Sequence, residues 1–533
     1  MRFDGWQPPE IEHGKPTKWN WIVYHPQNLK LGVKVDIGAF SYINAEVGVE
    51  LGDEVQLGSH CSIYSVSTID NKRAAVILKK NARVGSHSTV LPGVTIGENS
   101  IVGAHSLVNK DIPDNVVAYG VPAKVVKNLE ANSSDAKKNV LGWKIPLFKT
   151  YSTTEDIEAV TKVIKRGTRW ACGPEIEEFE QKISEYVGTE YALTFNSGTS
   201  ALHTLLLAHG IGQGDEVIIP SFTFIATANA VVLAGGTPVF AESESDTFGL
   251  DIEDVEKKIT AKTKAIITIH YGGFPAKDIK KLRTLADNKN ILLIEDAAES
   301  IGAKIEEQEV GSFGHSAIFS FCQGKVLAVG EGGALVTNSK EVYEKSKLIR
   351  SHGRVEESED YFSSIGDNDY IQVGYNYRMP TLLGALGISQ LNKIQEIIGM
   401  RRKGAQHLNE SLSQISEIKI PTQLPGHYPV YQMYSIQLEN KEIRDNLQKH
   451  LEKNGIMSKV YFHPVHLKTI YKQKYGCKEG DLPKTELLSD KVLNIPLYPT
   501  ITKEELNYLI EKIKEYFKLK QINKNYGSNQ NEY

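Results

Sequence analysis

Between residues 31 and 108 aliphatic side chains recur every six residues: Leu31, Ile37, Ile43 and Val49, then after a two-residue shift Leu51, Leu57, Ile63 and Ile69, and finally Val84, Val90, Ile96, Val102 and Val108. Glycine follows many of them, at Gly32, Gly38, Gly52, Gly58, Gly85, Gly97 and Gly103. A repeat this short cannot bury its own apolar side chain, whereas stacking one repeat on the next makes the core continuous, so the pattern predicts a β-helix. An alternating strand pattern imitates two or three such repeats by chance, but it does not hold a six-residue phase through thirteen positions. Asp70-Asn71-Lys72-Arg73 break the phase, which predicts a loop over residues 70–83 projecting from the coil. The repeats end at Asn109-Lys110-Asp111-Ile112-Pro113.

The chain has 533 residues, too many for one ordinary domain. Residues 128–143 are polar and lack aliphatic periodicity, as a linker does. From Ile145 onward helices and strands alternate, which predicts an α/β domain over residues 144–519. Helices are expected at 155–164, 277–290, 340–352, 382–397 and 503–517, and strands at 216–219, 237–241, 265–270 and 291–296. The stretch after Val430 reads as a small α+β subdomain, and residues 520–533 as a polar, disordered tail.

Chemistry concentrates at a few strand ends. Phe319 to Val336 reads as a strand, a turn carrying Lys325, a glycine-rich return and a second strand. A lysine set between apolar strands is poorly solvated, which favours the neutral amine that a Schiff base needs; a lone lysine would instead read as a surface charge on a hairpin. Upstream, an acidic pair, Glu295-Asp296, follows the apolar run Ile291 to Ile294. A lysine for an aldehyde and an acid for a ring nitrogen are what pyridoxal 5′-phosphate requires. Asn196-Ser197-Gly198-Thr199-Ser200 turns a strand into a helix whose free N–H groups suit a phosphate, though Ser-Gly-Thr also serves as an ordinary cap. Phe224 stands at the mouth of another helix, either to stack on a planar cofactor or as core.

The net charge of −4 leaves no electrostatic footprint for nucleic acid or an anionic membrane. Cys61, Cys172, Cys322 and Cys477 lie far apart, which argues against a zinc site or disulfide framework and for a reducing compartment. No stretch has the length of a membrane span or the form of a signal peptide, and the reading is cytoplasmic.

With Leu91-Pro92-Gly93-Val94-Thr95-Ile96-Gly97 and Gly120-Val121-Pro122-Ala123-Lys124, the first domain (residues 1–127) resembles the left-handed parallel β-helix acyltransferases of the hexapeptide-repeat family. The resemblance implies acetyl-CoA lying in a groove between neighbouring coils of a trimer, and a histidine as base. The Gly-His-Pro that carries this base in the sugar O-acetyltransferases is absent from Ser65-Val66-Ser67-Thr68-Ile69-Asp70. The remaining candidates are His60, His87 and His105, each two residues after a repeat glycine. His60 is placed first because it precedes the interrupted coil, although a histidine at such a corner is ordinarily a solvated turn residue.

From about Ile145 to Tyr516 the chain resembles the DegT/StrS nucleotide-sugar aminotransferases, which have the pyridoxal-phosphate fold type I. Five blocks stand in the family order: 196–202, 220–224, 295–299, 320–333 and Gly374-Tyr375-Asn376-Tyr377-Arg378-Met379. The resemblance implies that Lys325 carries the cofactor as a Schiff base and then shuttles the proton. Asp296 would hold the ring nitrogen, Phe224 would stack on the ring, and Gly198, Thr199 and Ser320 would bind the phosphate, with Asn376 reaching in from a second subunit. Glu299 stands near the cofactor at a position that the family fills with glutamine, histidine or glutamate. The form Asp-Ala-Ala-Glu at 296–299 leans toward the perosamine-type 4-aminotransferases.

Together these readings imply a cytoplasmic, two-step enzyme of polysaccharide or O-antigen biosynthesis. It transfers an amino group from glutamate to a nucleotide-linked keto-deoxysugar, then acetylates the product from acetyl-CoA. Three other readings stay open: O-acetylation, a non-catalytic β-helix that only trimerises, and a sugar dehydratase, against which Lys325 speaks because such relatives carry histidine there. A dimer through the aminotransferase and a trimer through the β-helix would combine most simply as a hexamer.

Overall fold

A computed structural model describes residues 7–128, 142–355 and 369–528. The chain divides into two compact units, Met1–Lys137 and Lys138–Tyr533. The expected linker, apart from Asn128 and residues 142 and 143, lies outside the described residues.

The first unit is a parallel β-helix in which short strands stack into three sheets of five, four and six strands. Val23, Ile43, Ile63, Val90 and Val108 occupy one register column of the five-stranded sheet, and all are fully buried. One aliphatic side chain per coil on each of the three faces thus builds a continuous core, as the six-residue phase requires. The two-residue shift is a single strand, Val49–Leu51, with both ends turned inward. Gly85 answers to the close approach of coils, since a Cβ there would strike the backbone nitrogen of Ala104 in the next one. The left-handed backbone falls two residues later, at Phe40, His60, His87 and His105, with φ of 61°, 58°, 60° and 56°.

Two expectations for this unit are corrected. Ile69 is not core: it is 97% exposed, in the loop that interrupts the coil. That loop spans residues 66–75 rather than 70–83, because Val76–Leu78 already rejoins the four-stranded sheet and Arg83–Val84 the six-stranded one. An insertion resets the six-residue phase, so Val76 and Leu78 are buried at positions that the earlier phase does not mark. The antiparallel pair Val116–Tyr119 and Lys124–Asn128 closes the coil.

The second unit is built on seven strands: β1 (Tyr191–Phe195), β2 (Glu216–Pro220), β3 (Thr237–Ala241), β4 (Thr263–Ile269), β5 (Leu292–Asp296), β6 (Ser316–Ser320) and β7 (Gly333–Thr337). Their order is β1-β7-β6-β5-β4-β2-β3. All neighbours are parallel except β7, which runs antiparallel to β1 and β6. Both faces are covered: Ile218 faces one core cluster while its neighbours Val217 and Ile219 face the other. This double burial explains why the strands read as apolar runs rather than as alternation.

The small subdomain packs helices Lys441–Lys453 and Lys503–Ser528 on the strand pair Tyr434–Gln437 and Val492–Ile495. One expected helix is instead two, Thr381–Asn392 and Ile394–Leu412, broken at Lys393. Lys393 leaves helical geometry (φ −113°, ψ 17°), and its Nζ lies 2.6 Å from the buried Asp156. The tail expected from residue 520 is helical as far as Ser528, and the rest lies outside the described residues. Helix Pro174–Val187, with proline in its first turn and Gly188 after its last residue, was not expected from the sequence.

Candidate active site

The carboxyl ends of β2, β5 and β6 open on one cavity of about 530 Å³. Such crevices beyond the strand ends are where open α/β sheets collect ligands. Gly198, Thr199, Phe224, Asp296, Glu299, Ser320 and Lys325 all line it. Residues from five separate stretches of the sequence are thereby brought to one cavity.

On one side the helix Gly198–Ala208 points its N-terminus at the cavity. The Ser197 hydroxyl accepts from the Ser200 N–H at 3.1 Å, and the Ser197 carbonyl accepts from Ala201 at 3.1 Å. Those two bonds leave the amides of Gly198 and Thr199 with no acceptor inside the helix. Ser320 ends β6 beside them, so close that a Cβ on Gly198 would sit 3.0 Å from the Ser320 Cβ. Small residues here keep open a cradle of N–H and hydroxyl donors, which fits an anion such as a phosphate.

Asp296 closes β5. Its Oδ2 accepts from the Thr227 hydroxyl at 2.8 Å and its Oδ1 from the Ala298 N–H at 3.2 Å. Burial pushes its carboxyl above the usual range, and these two bonds, with the charge of Lys325, offset only part of that push. A poorly solvated acid at a cavity wall is matched by a cationic N–H, such as that of a protonated pyridine. The Phe224 ring, 59% exposed, stands at the start of helix Ile225–Leu233. The donor cradle, the poorly solvated acid and the aromatic face together fit pyridoxal phosphate.

Lys325 follows a turn closed by its own N–H donating to the Cys322 carbonyl at 2.9 Å. The amine is not left in apolar isolation, since Nζ lies 3.3 Å from Glu299 Oε1. The other oxygen of Glu299 accepts from the Gly272 N–H at 2.8 Å, which fixes the carboxylate beneath the lysine. Asn376 is exposed and does not line the cavity of its own chain; its carbonyl accepts from Asn196 Nδ2 at 3.3 Å.

The cavity also takes in residues that the sequence reading passed over. Thr227 is one helical turn beyond Thr223, and their hydroxyls are 2.9 Å apart. A threonine repeated four residues on, next to Phe224, is a local signal that was available. Phe148, His270, Gln432, Tyr461 and Phe462 reach the cavity only through the tertiary fold, and nothing local marks them. Elsewhere, Ser221, His466 and Glu486 align as a serine–histidine–acid relay, with contacts of 2.6 and 3.1 Å. Ser221 is wholly buried and already accepts from the His466 N–H, so this relay ties two chain segments together.

On the β-helix the three candidate histidines form one exposed stack along a corner. His60 and His87 have centroids 4.6 Å apart, His87 and His105 4.8 Å, and Phe40 extends the column 5.1 Å below His60. These distances match the spacing of neighbouring strands, so the stack follows from coil repetition. His60 and the loop at 66–75 flank opposite ends of strand Ser62–Tyr64, about 10 Å of extended chain.

Residues 150–514 match the model of the DegT/DnrJ/EryC1/StrS aminotransferase family, and residues 75–110 match that of the bacterial transferase hexapeptide (six repeats). The chain is 34% identical over 373 residues to the GDP-perosamine synthase of Escherichia coli O157:H7, spanning 70% of this chain and 98% of that one. Against the GDP-perosamine synthase of Caulobacter vibrioides it is 35% identical over 349 residues, spanning 64% and 91%. Among solved structures, S. venezuelae DesV in complex with a ketimine intermediate superposes with a TM-score of 0.63 at 34% identity, covering 68% of this chain and 94% of that one. The PLP form of the putative sugar aminotransferase Spr1654 from Streptococcus pneumoniae gives 0.65 at 26% identity, covering 70% and 98%.

Proposed function

Because this chain belongs to the DegT/DnrJ/EryC1/StrS aminotransferase family, we propose that its cavity holds pyridoxal 5′-phosphate and moves an amino group from glutamate to a nucleotide-linked keto-deoxysugar. The observation that carries this reading is convergence: a lysine amine, a half-buried, poorly solvated acid and a helix start with free amides face one cavity from separate strand ends. When bound, the cofactor supplies an aldehyde that takes up the amino group and a ring that draws electrons from the substrate carbon.

The chain's own residues divide the work. The amides of Gly198 and Thr199 and the hydroxyl of Ser320 hold the phosphate, and Phe224 covers one face of the ring. Asp296 keeps the ring nitrogen protonated, oriented by Thr227. Lys325 Nζ would hold the cofactor through its aldehyde and, as a free amine, would take and return a proton at the substrate carbon. Glu299 fixes the amine's position between turns of the cycle. Asn376 completes the phosphate site of a neighbouring subunit, which makes the aminotransferase unit at least a dimer. The resemblance to GDP-perosamine synthases favours a 4-keto sugar on a nucleoside diphosphate.

The β-helix is the second catalyst in this reading. It takes acetyl-CoA and acetylates the new amine, as a trimer, with His60 as base, or its stacked neighbours His87 and His105. The hexapeptide match supports an acyltransferase. A hexamer joins the two interfaces most simply.

Glutamate labelled at nitrogen tests the first step: incubated with a panel of 3-keto and 4-keto nucleotide sugars, the protein is expected to pass the label to a 4-keto substrate. Label that stays in glutamate with every sugar would refute the assignment. Thiol release from acetyl-CoA, measured with amino sugar present, tests the second step, and no release would leave the β-helix as a trimerising module.

A further inference from the structure

Taking the aminotransferase reading as its basis, we infer that Gln432 is a positioning residue for Lys325, acting through the peptide that precedes the lysine. Gln432 and Gly324 are far apart in sequence, yet the Gln432 Nε2 donates to the Gly324 carbonyl at 2.5 Å. That bond fixes the orientation of the amide, since only the nitrogen can donate to a carbonyl. The other end, Oε1, is buried with no hydrogen-bond partner among the described residues, and the residue lines the cavity.

Gln432 is itself held from behind. Arg401 is 2% exposed, and its NH1 group donates to the carbonyls of Tyr431, Gln432 and Leu497 at 3.3, 3.2 and 3.2 Å. A buried guanidinium bonded to three carbonyls makes this segment a fixed platform, so the glutamine side chain has little freedom to follow the turn. On the far flank Thr150 Oγ1 donates to the Gln323 carbonyl at 2.7 Å. Phe148 covers Gly324, where an added Cβ would lie 3.6 Å from the ring. The carbonyls of residues 323 and 324 are therefore both taken by side chains from outside the hairpin, and the Lys325 N–H is taken by Cys322. The peptides leading into Lys325 are set from two sides, and with them the direction in which its side chain leaves the turn.

The test uses full-length holoprotein. In Gln432→Leu the donor is lost. In Gln432→Glu the shape is kept, but the ionised carboxylate cannot donate to a carbonyl. Expected for both is a visible band of lysine-linked cofactor that persists but titrates at a shifted pH. The kcat should fall about tenfold, equivalent to about 1.4 kcal/mol, with the KM for glutamate little changed. The Gln432→Glu loss should be regained in part at acid pH, where the new carboxyl holds a proton to donate. Thr150→Val, removing the opposite clamp, should shift the same band. Wild-type kcat and band titration in both Gln432 variants would overturn the inference while leaving the aminotransferase reading intact. A wild-type protein with no lysine-linked band would overturn that reading, and the inference with it.

Discussion

Asp296 shows most plainly how burial becomes chemistry at a single residue. Without cofactor its raised carboxyl contributes stability in full below the unfolded value, and that contribution is lost as pH rises through the folded one. A protonated ring nitrogen reverses the preference, because it pairs only with the ionised acid. Cofactor affinity is accordingly expected to rise with pH through the range in which Asp296 ionises. Asp296→Asn should bind more weakly, lose that dependence and lose most turnover, as followed by absorbance titration with pyridoxal phosphate. A wild-type affinity that is flat with pH would contradict the role. At this scale the sequence was legible where chemistry is local: Lys325, Asp296 and Gly198 each sit in a short apolar or small-residue context that marks them. Gln432 was not legible, because its contact with Gly324 exists only after the subdomain has folded onto the hairpin.

Elements depend on a few packed points. Lys393 and Asp156 make a contact of 2.6 Å, with side chains only 13% and 3% exposed, and it joins helix Thr154–Arg166 to the break between two later helices. Lys393→Ala leaves Asp156 buried without its cation and is expected to cost about 3 kcal/mol in denaturant unfolding. Loss of less than about 0.5 kcal/mol, the range of ordinary surface changes, would show that water replaces the lysine. In the β-helix, Gly85→Ala forces a methyl into the backbone of the next coil and is expected to destabilise that unit by about 1–3 kcal/mol. Gly212→Ala, which meets nothing within 4 Å, serves as the silent control in the same measurement. The coil was legible because one inward residue per repeat leaves a strict phase, whereas Ile69 misled because an aliphatic residue in an inserted loop can fall on phase by accident. The helix expected over 382–397 hid its break because Lys393 is a good helix former locally and departs only to reach Asp156.

At the scale of the whole molecule, two units with different folds are joined in one chain, and under the proposed function the chemistry sets the order of the two steps. Acetylation at nitrogen needs an amine, and a keto sugar has none until the aminotransferase site has passed it one from glutamate. Among the described residues no helix is long and apolar enough to cross a membrane. The two-domain plan could be read from the sequence because its periods differ, six residues in one part and alternating helices and strands in the other. Of the second subunit that the sequence suggests through Asn376, the single chain shows only that this residue is exposed and lies outside its own cavity. The most direct test supplies 4-keto nucleotide sugar, glutamate and acetyl-CoA to wild type and to Lys325→Ala, and weighs the products by mass spectrometry. Under the proposed function, wild type yields an acetamido sugar, and Lys325→Ala leaves the keto sugar unchanged while still acetylating amino sugar given to it directly. An aminated product from Lys325→Ala, or none from wild type on any keto sugar, would contradict it.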